Sequence, residues 1–387
     1  MNDDHKYLNC LLNSLSEYIE SSSVELGGEL KLSLDSNTLR LAYINKTTGI
    51  ITFNPRTILY ISLFNKKTTD IFRDFVLASQ LKLFNYYTEC CAVSERLLKR
   101  ITKNKQDLLS CFKQVKNKLE YILLFIISHE IGHYYFSRNK DVWENYRKKA
   151  FNIIRFCSEN TFDNDYANEY IRRLKDHTTI MKFFENEKDT DEITKAFLEL
   201  HMYFMADAIE DAKRNDVIIE EIAADIIATD VVFGILKNNC SLTNEIGQWF
   251  YVTIIESLNF LMHYDIRSNT YLSTFSHLDH SDALIAQGPR VSKFTLRTLS
   301  IQIYIELMFK DFFHEDIYNN DLHKYYFEEL LWQDSYEEIQ SDECDNKMDD
   351  IAKLEEGSFI DFNKENCLIA ENKFICIEND LYSFFDQ

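Results

Sequence analysis

Apolar side chains recur at helical spacing from Tyr7 to Ile19, and Ser21-Ser22-Ser23 interrupts them, so a helix is predicted over the first ~20 residues. Three short runs rich in Leu, Ile and Thr follow at 30–34, 39–44 and 49–53. They are separated by Asp-Ser-Asn and Asn-Lys-Thr-Thr-Gly turn signals, which predicts a small antiparallel sheet. After Pro55 the period returns to helical. Between 137 and 215, apolar anchors such as Phe151, Ile153 and Ile154, then Ile171, Leu174, Ile180 and Phe183, then Phe197, Leu200, Tyr203 and Phe204, predict two or three helices forming a cap. Two segments, 121–133 and 217–233, are apolar all round and read as buried helices. Trp249 to Tyr264 is also a buried helix, because Glu256, Ser257 and Asn259 interrupt the ~18 apolar residues that a membrane span needs. Near the end, the runs 367–370 and 374–377 predict a hairpin across Glu371-Asn372. The expected fold is mainly α (α+β), in three segments. Residues 1–118 form a helix, the small sheet and a basic helix; 119–300 form a core with a helical insert at 137–219; 301–387 form a helical region with an acidic loop at 334–356.

Composition sharpens this picture. Only 8 Gly and 2 Pro among 387 residues leave too few turn formers for a sandwich or propeller. With 63 acidic against 42 Lys and Arg, the net charge is −21, which repels phosphate backbones and anionic lipid and makes nucleic acid and membrane poor partners. The one basic stretch, Arg96 to Lys118, reads as a solvated helix face, with docking of an acidic partner as the other reading. Nine scattered cysteines without a C-x-x-C pair fit a reducing compartment. The acidic start, Met-Asn-Asp-Asp-His-Lys, lacks the basic flank and apolar run of a signal peptide, so a cytoplasmic location is expected.

The chemistry concentrates at 129–133, His-Glu-Ile-Gly-His, which is H-E-x-x-H on the buried helix. Spacing i, i+4 puts His129 and His133 on one face, where both imidazoles can reach one tetrahedral Zn²⁺ at ~2.0–2.1 Å. Glu130, rotated by ~100°, can then act as general base on a zinc-bound water without ligating the metal. A carboxylate on an all-apolar helix costs several kcal/mol unless something compensates, and a cation would do so. The structural alternative is a pair of hydrogen-bonded core histidines with Glu130 paired to a cation elsewhere. The third ligand is expected on the second buried helix, where Glu221 and Asp225 share a face and no Lys or Arg lies between Val217 and Phe233. Glu221 would complete the metal site and Asp225 would accept the free ring N–H of His129. Glu220 competes for the ligand role, but with Ala224 at i+4 it leaves Asp225 without one. Gly132, Ala223, Ala224 and Ala228 are small enough for the two helices to approach closely.

Taken together, His129-Glu-Ile-Gly-His133 and Glu221-Ile-Ala-Ala-Asp225 resemble the gluzincins, zinc metallopeptidases with two His and one Glu as ligands. Within that group the chain is most similar to the Lit phage-exclusion proteases and the related M48-like peptidases, and residues 49–64 are similar to the strand and helix that precede their zinc helix. The resemblance covers scattered pieces of about residues 45–295 and implies a zincin-like core. It departs from the family in the 88-residue separation of His133 and Glu221, a longer link that would either wall the cleft or extend the core. The family's later His-Pro helix start corresponds to His280-Ser281, with Arg290 ten residues on rather than six. The resemblance therefore implies oxyanion stabilisation by His280 and Arg290, beside Tyr134 and Tyr135 as other candidates, while Ser281 or Asp282 as an ordinary helix cap is the structural reading.

The function expected from this is a zinc-dependent endopeptidase. The resemblance adds an intracellular protein substrate, a host translation factor or a phage protein, in phage exclusion. The alternative, from a different class, is a non-catalytic zinc-containing binding or regulatory protein. That would require a fourth protein ligand, and none stands near the motif in sequence.

Overall fold

The computed structural model describes residues 6–26, 29–65, 67–83, 85–160, 199, 203, 206–239, 243–274, 293–308 and 364–385. They form a mainly helical protein with one three-stranded sheet. Two units emerge in space, Met1–Lys149 with Glu220–Ala283 and Phe362–Gln387 in the first, Ala150–Ile219 with Leu284–Asp361 in the second. The segmentation 1–118, 119–300 and 301–387 follows the chain, whereas these units group what packs together.

In the first unit, α1 (Lys6–Leu26) buries Leu8, Leu11, Leu12, Leu15 and Ile19, the helical face that the sequence presents. The sheet follows, with β1 (Lys31–Leu34), β2 (Ala42–Ile44) and β3 (Ile50–Phe53) in the order β1-β3-β2. The expected sheet was antiparallel throughout, and the observed one is mixed. β2 runs antiparallel to β3 with Ile44 opposite Ile51, but β1 runs parallel to β3 with Leu32 opposite Ile51. The Asp35-Ser36-Asn37 signal does not close a hairpin. Instead the loop crosses to the far side of β3 and is pinned there by hydrogen bonds to its carbonyls, from Asn54 Nδ2 to Thr38 (2.8 Å) and from Tyr264 Oη to Leu39 (2.6 Å). The second turn forms as expected. Asn45 Oδ1 accepts the N–H groups of Thr47 and Thr48, and Gly49, at φ +73°, donates to the Asn45 carbonyl; a Cβ on Gly49 would lie 2.3 Å from the Glu29 carbonyl oxygen.

Pro55 turns the chain into α2 (Arg56–Leu63), which is buried on every side, and then come α3 (Thr69–Leu83), α4 (Tyr87–Lys103) and α5 (Lys105–Arg138). From Ile122 to Ile127 every side chain of α5 is buried, so the apolar run sits where it must. α6 (Lys140–Asn160) begins in this unit, with Trp143 and Tyr146 against Phe136 and the Tyr146 hydroxyl on Asp230 at 3.1 Å. α7 (Asp216–Asn239) and α8 (Asn244–Thr274) supply the two later buried helices.

The expected C-terminal hairpin is a helix, α9 (Lys364–Tyr382), followed by a 3-10 turn at Ser383–Phe385. Ala370, Phe374, Ile377 and Leu381 are buried at a spacing of three and four residues, which joins the two short apolar runs into one helical face. Arg56, almost fully buried, donates from Nε to Glu378 on α9 and from Nη1 to the Ser36 carbonyl, with its guanidinium 5.0 Å from the Phe374 ring.

The basic stretch divides between α4 and α5 and between two behaviours. Arg96 makes two 3.0 Å bonds to buried Asp74, Arg100 lies 3.1 Å from the same carboxylate, and Lys118 pairs with Glu256 on α8 at 2.9 Å. Lys99, Lys103, Lys105 and Lys113 are the solvated face.

The second unit is described for the end of α6, a helix at 206–214, the start of α7 and a helix at 293–308, with Lys293 paired to Asp211 at 2.8 Å. Most of the 137–219 insert and the whole 334–356 acidic stretch lie outside the described residues. Among the described helices none is long and apolar enough to cross a membrane, and Cys10, Cys90, Cys91, Cys111, Cys157 and Cys376 are thiols.

Candidate metal centre

α5 and α7 meet through their smallest residues. A Cβ on Gly132 would stand 3.3 Å from the Ala224 Cα and 3.4 Å from its Cβ, so the backbones pack with no room for one more methyl, and Ala223, Ala224 and Ala228 are fully buried. This approach carries the polar side chains of both helices into one place. His129 Nε2 lies 3.4 Å from Glu221 Oε2, His133 Nε2 lies 3.4 Å from Glu221 Oε1, and the two Nε2 atoms are 3.1 Å apart. The three donor atoms fall within 4.8 Å of one another, a group that could hold a metal ion.

The other ring nitrogens decide what those donors are. His129 Nδ1 donates to Asp225 Oδ1 at 2.8 Å and His133 Nδ1 donates to Glu220 Oε1 at 2.8 Å. An ionised carboxylate can only accept, so each neutral imidazole carries its hydrogen on Nδ1 and leaves a lone pair on Nε2. Two lone pairs 3.1 Å apart, with a carboxylate facing both, repel unless positive charge lies among them. Two imidazole nitrogens and one carboxylate oxygen, with each ring oriented by an anion, are a donor set that fits Zn²⁺.

The electrostatics point the same way. Burial alone would lower the His129 pKa, but Asp225 and Glu221 outweigh it and raise it to about 10. His133 is also raised against burial, by hydrogen bonds to Glu220 and Glu221. Glu220 is pulled down to about 2, first by His133 and then, against burial, by Lys46. A cluster that grips protons so firmly grips other cations for the same reason, and the two compete.

Glu130 stands apart from the donor group, as a base should. Its Oε2 accepts the Ile44 N–H at 3.0 Å, which fixes the carboxylate to the edge strand β2. Burial raises its pKa, with His129 and His133 opposing and Glu221 adding to the rise.

His129, Glu130, His133, Glu221 and Asp225, five of the residues singled out in the sequence, thus converge. Tyr134 is buried beneath the Arg138 guanidinium, 4.8 Å from its ring, with its hydroxyl against the Gly49 turn, and Tyr135 is half-buried. His280 and Arg290 lie outside the described residues.

Three side chains have roles here that were not read from the sequence, where Glu220 stands only as a competing ligand. Glu220 orients His133. Its signal was available, since two ligand histidines need two acceptors for their Nδ1 hydrogens and Asp225 serves one. Lys46 bonds Glu220 at 2.6 Å from 174 positions away, and Tyr18 shares a 2.8 Å hydrogen bond with Ser128, the residue before the first histidine. Neither has a linear signal. Compared with known proteins, the chain matches no protein-family model, no curated protein and no solved structure.

Proposed function

We propose that the chain is a zinc-dependent endopeptidase with a zincin-like core, holding the ion on His129, His133 and Glu221. The observation that carries this reading is the convergence of the two Nε2 lone pairs on the Glu221 carboxylate, with Glu130 beside the group and outside it. The donor group found among the described residues has three members, the number that a catalytic site uses. Zinc held there supplies a Lewis acid for a peptide carbonyl and makes water a nucleophile at neutral pH.

The remaining work falls to the protein. Glu130 accepts the proton of the attacking water and delivers it to the leaving amine, so no covalent intermediate is needed. Its raised proton affinity suits that double duty, because a carboxylate that burial makes less acidic than usual takes up more readily the proton it hands on. β2 is an edge strand, and Ile44 turns its N–H away from β3 onto Glu130. An extended substrate laid along that edge would bring its scissile bond beside the base. The substrate we infer is an intracellular protein, and the resemblance to the Lit proteases supports a role in phage exclusion.

Elemental analysis of the purified chain tests the metal, with about one zinc per chain expected in wild type and little retained by Glu221→Ala. Hydrolysis of a denatured protein tests the chemistry. Glu130→Gln should keep its zinc and lose about 10²- to 10⁴-fold in rate. Equal hydrolysis by Glu130→Gln and wild type would remove the peptidase reading.

A further inference from the structure

The β2–β3 turn reaches the metal centre at two points. Ile44 holds Glu130 through its backbone N–H, and Lys46, two residues on, extends its ammonium to Glu220 at 2.6 Å. Glu220 uses the same oxygen, Oε1, to accept the Nδ1 hydrogen of His133. One carboxylate oxygen is therefore shared between a cation on the sheet and an imidazole on α5. That sharing holds this oxygen between two donors from different elements, which a single bond to His133 would not do. Glu220 itself is part-exposed on α7, with Lys46 on its solvent side, so water would otherwise compete for it. The turn is in turn rigid. Asn45 caps it, Gly49 closes it at positive φ, and Arg138 of α5 donates to the Thr47 carbonyl at 3.0 Å.

We propose that Glu220 is a positioning residue for the metal ligand His133, and that Lys46 acts on the centre through Glu220, so that the β2–β3 turn sets the orientation of one ligand as well as that of the base. The inference rests on the metal-centre reading above. It assigns the two ligand imidazoles separate carboxylate supports on α7, Asp225 for His129 and Glu220 for His133, and it ties the second to the β2–β3 turn through Lys46. Neither Glu220 nor Lys46 touches the reacting atoms in this scheme.

The test is competition for Zn²⁺ between the full-length chain and a chromophoric chelator, with wild type, Glu221→Ala, Glu220→Ala, Glu220→Gln, Lys46→Met, Lys46→Arg and the double variant Lys46→Met/Glu220→Ala. Removing an acceptor that orients a ligand histidine costs about 10- to 100-fold in metal affinity, which is the loss expected for Glu220→Ala. Glu220→Gln keeps an acceptor for the Nδ1 hydrogen and should recover part of that loss. Lys46→Met should weaken binding by about two- to fivefold, the range of an exposed ion pair, and Lys46→Arg should restore it. The decisive comparison is the double variant. If Lys46 acts through Glu220, Lys46→Met has no further effect once Glu220 is Ala. An unchanged Lys46→Met effect in that background, or Glu220→Ala binding as tightly as wild type while Glu221→Ala does not, overturns this inference and leaves the metal centre standing. Failure of wild type itself to bind Zn²⁺ overturns both. A merely structural role for Glu220 would lower thermal stability of the metal-free chain in Glu220→Ala and Glu220→Gln alike without separating the two in Zn²⁺ affinity.

Discussion

Two of the places where the first unit buries charge solve the problem in opposite ways. At Arg56 one cation meets one anion, Glu378, while the Ser36 carbonyl takes a further guanidinium hydrogen and the Phe374 ring lies against the guanidinium. That site is balanced by its own side chains. At the candidate metal centre, Glu130, Glu220, Glu221 and Asp225 gather around two imidazoles, with exposed Lys46 at the margin. There the protonation that burial should suppress is driven up instead. The difference separates a charge pair that joins two parts of a fold from a cluster of carboxylates and imidazoles that could hold a metal ion.

The largest predicted effect breaks the balanced site. Removing one partner of a buried ion pair costs about 3–5 kcal/mol, so Glu378→Ala should lower unfolding stability by that amount in urea denaturation and leave zinc retention unchanged. Replacing both members with apolar residues, Arg56→Met with Glu378→Leu, should recover most of the loss. At the metal centre the analogous change acts on two properties at once. Glu221→Ala should lose the ion, and because it removes one of the carboxylates that raise His129 and His133 it should also make the metal-free chain somewhat less stable near neutral pH.

The next contrast is with pH, and it gives opposite slopes for the two forms of one protein. In the metal-free chain the His129 pKa is raised from 6.5 to about 10. The stability it contributes is therefore complete below about pH 6.5 and is lost as pH rises toward 10. In the loaded chain protons compete with the ion, so zinc retention strengthens over the same interval. Chemical denaturation at pH 6.5 and pH 9 with and without zinc should show the metal-free chain falling and the stabilisation by zinc growing. Parallel slopes would mean that no ion competes with protons at these imidazoles.

Smaller effects follow from packing and surface. Gly132→Ala must push Ala224 aside and should cost about 1–3 kcal/mol in thermal or urea unfolding, together with weaker zinc retention, because the donors ride on the helices that it separates. Lys105→Ala, on the solvated part of the basic stretch, should stay within about 0.5 kcal/mol of wild type.

What the sequence discloses here is whatever is written at short range. The i, i+4 pairs His129/His133 and Glu221/Asp225 fall on single helices, so periodicity places them, and the all-apolar runs around them announce two buried helices whose small residues allow contact. Short apolar runs are ambiguous between helix and strand, which is why 367–377 reads as a hairpin until Ala370, Phe374 and Ile377 are seen to share a face. Strand direction is likewise not local, because β1 joins β3 only through a loop that Asn54 and Tyr264 hold from outside it. The same limit hides Ile44 and Lys46, whose partners are 86 and 174 positions away.

Those long separations give the centre an order in time. Its parts come from residues 44–46, then 129–133, then 220–225, so a growing chain carries the histidine pair before it has Glu220, Glu221 or Asp225. At about 5–20 residues per second, the 88 positions from His133 to Glu221 take about 4–18 s to synthesise. During that interval the two imidazoles have neither their third donor nor either of their carboxylate supports. On the proposed reading, metal would therefore be held only after Glu221 has been made, little past the middle of the 387 residues.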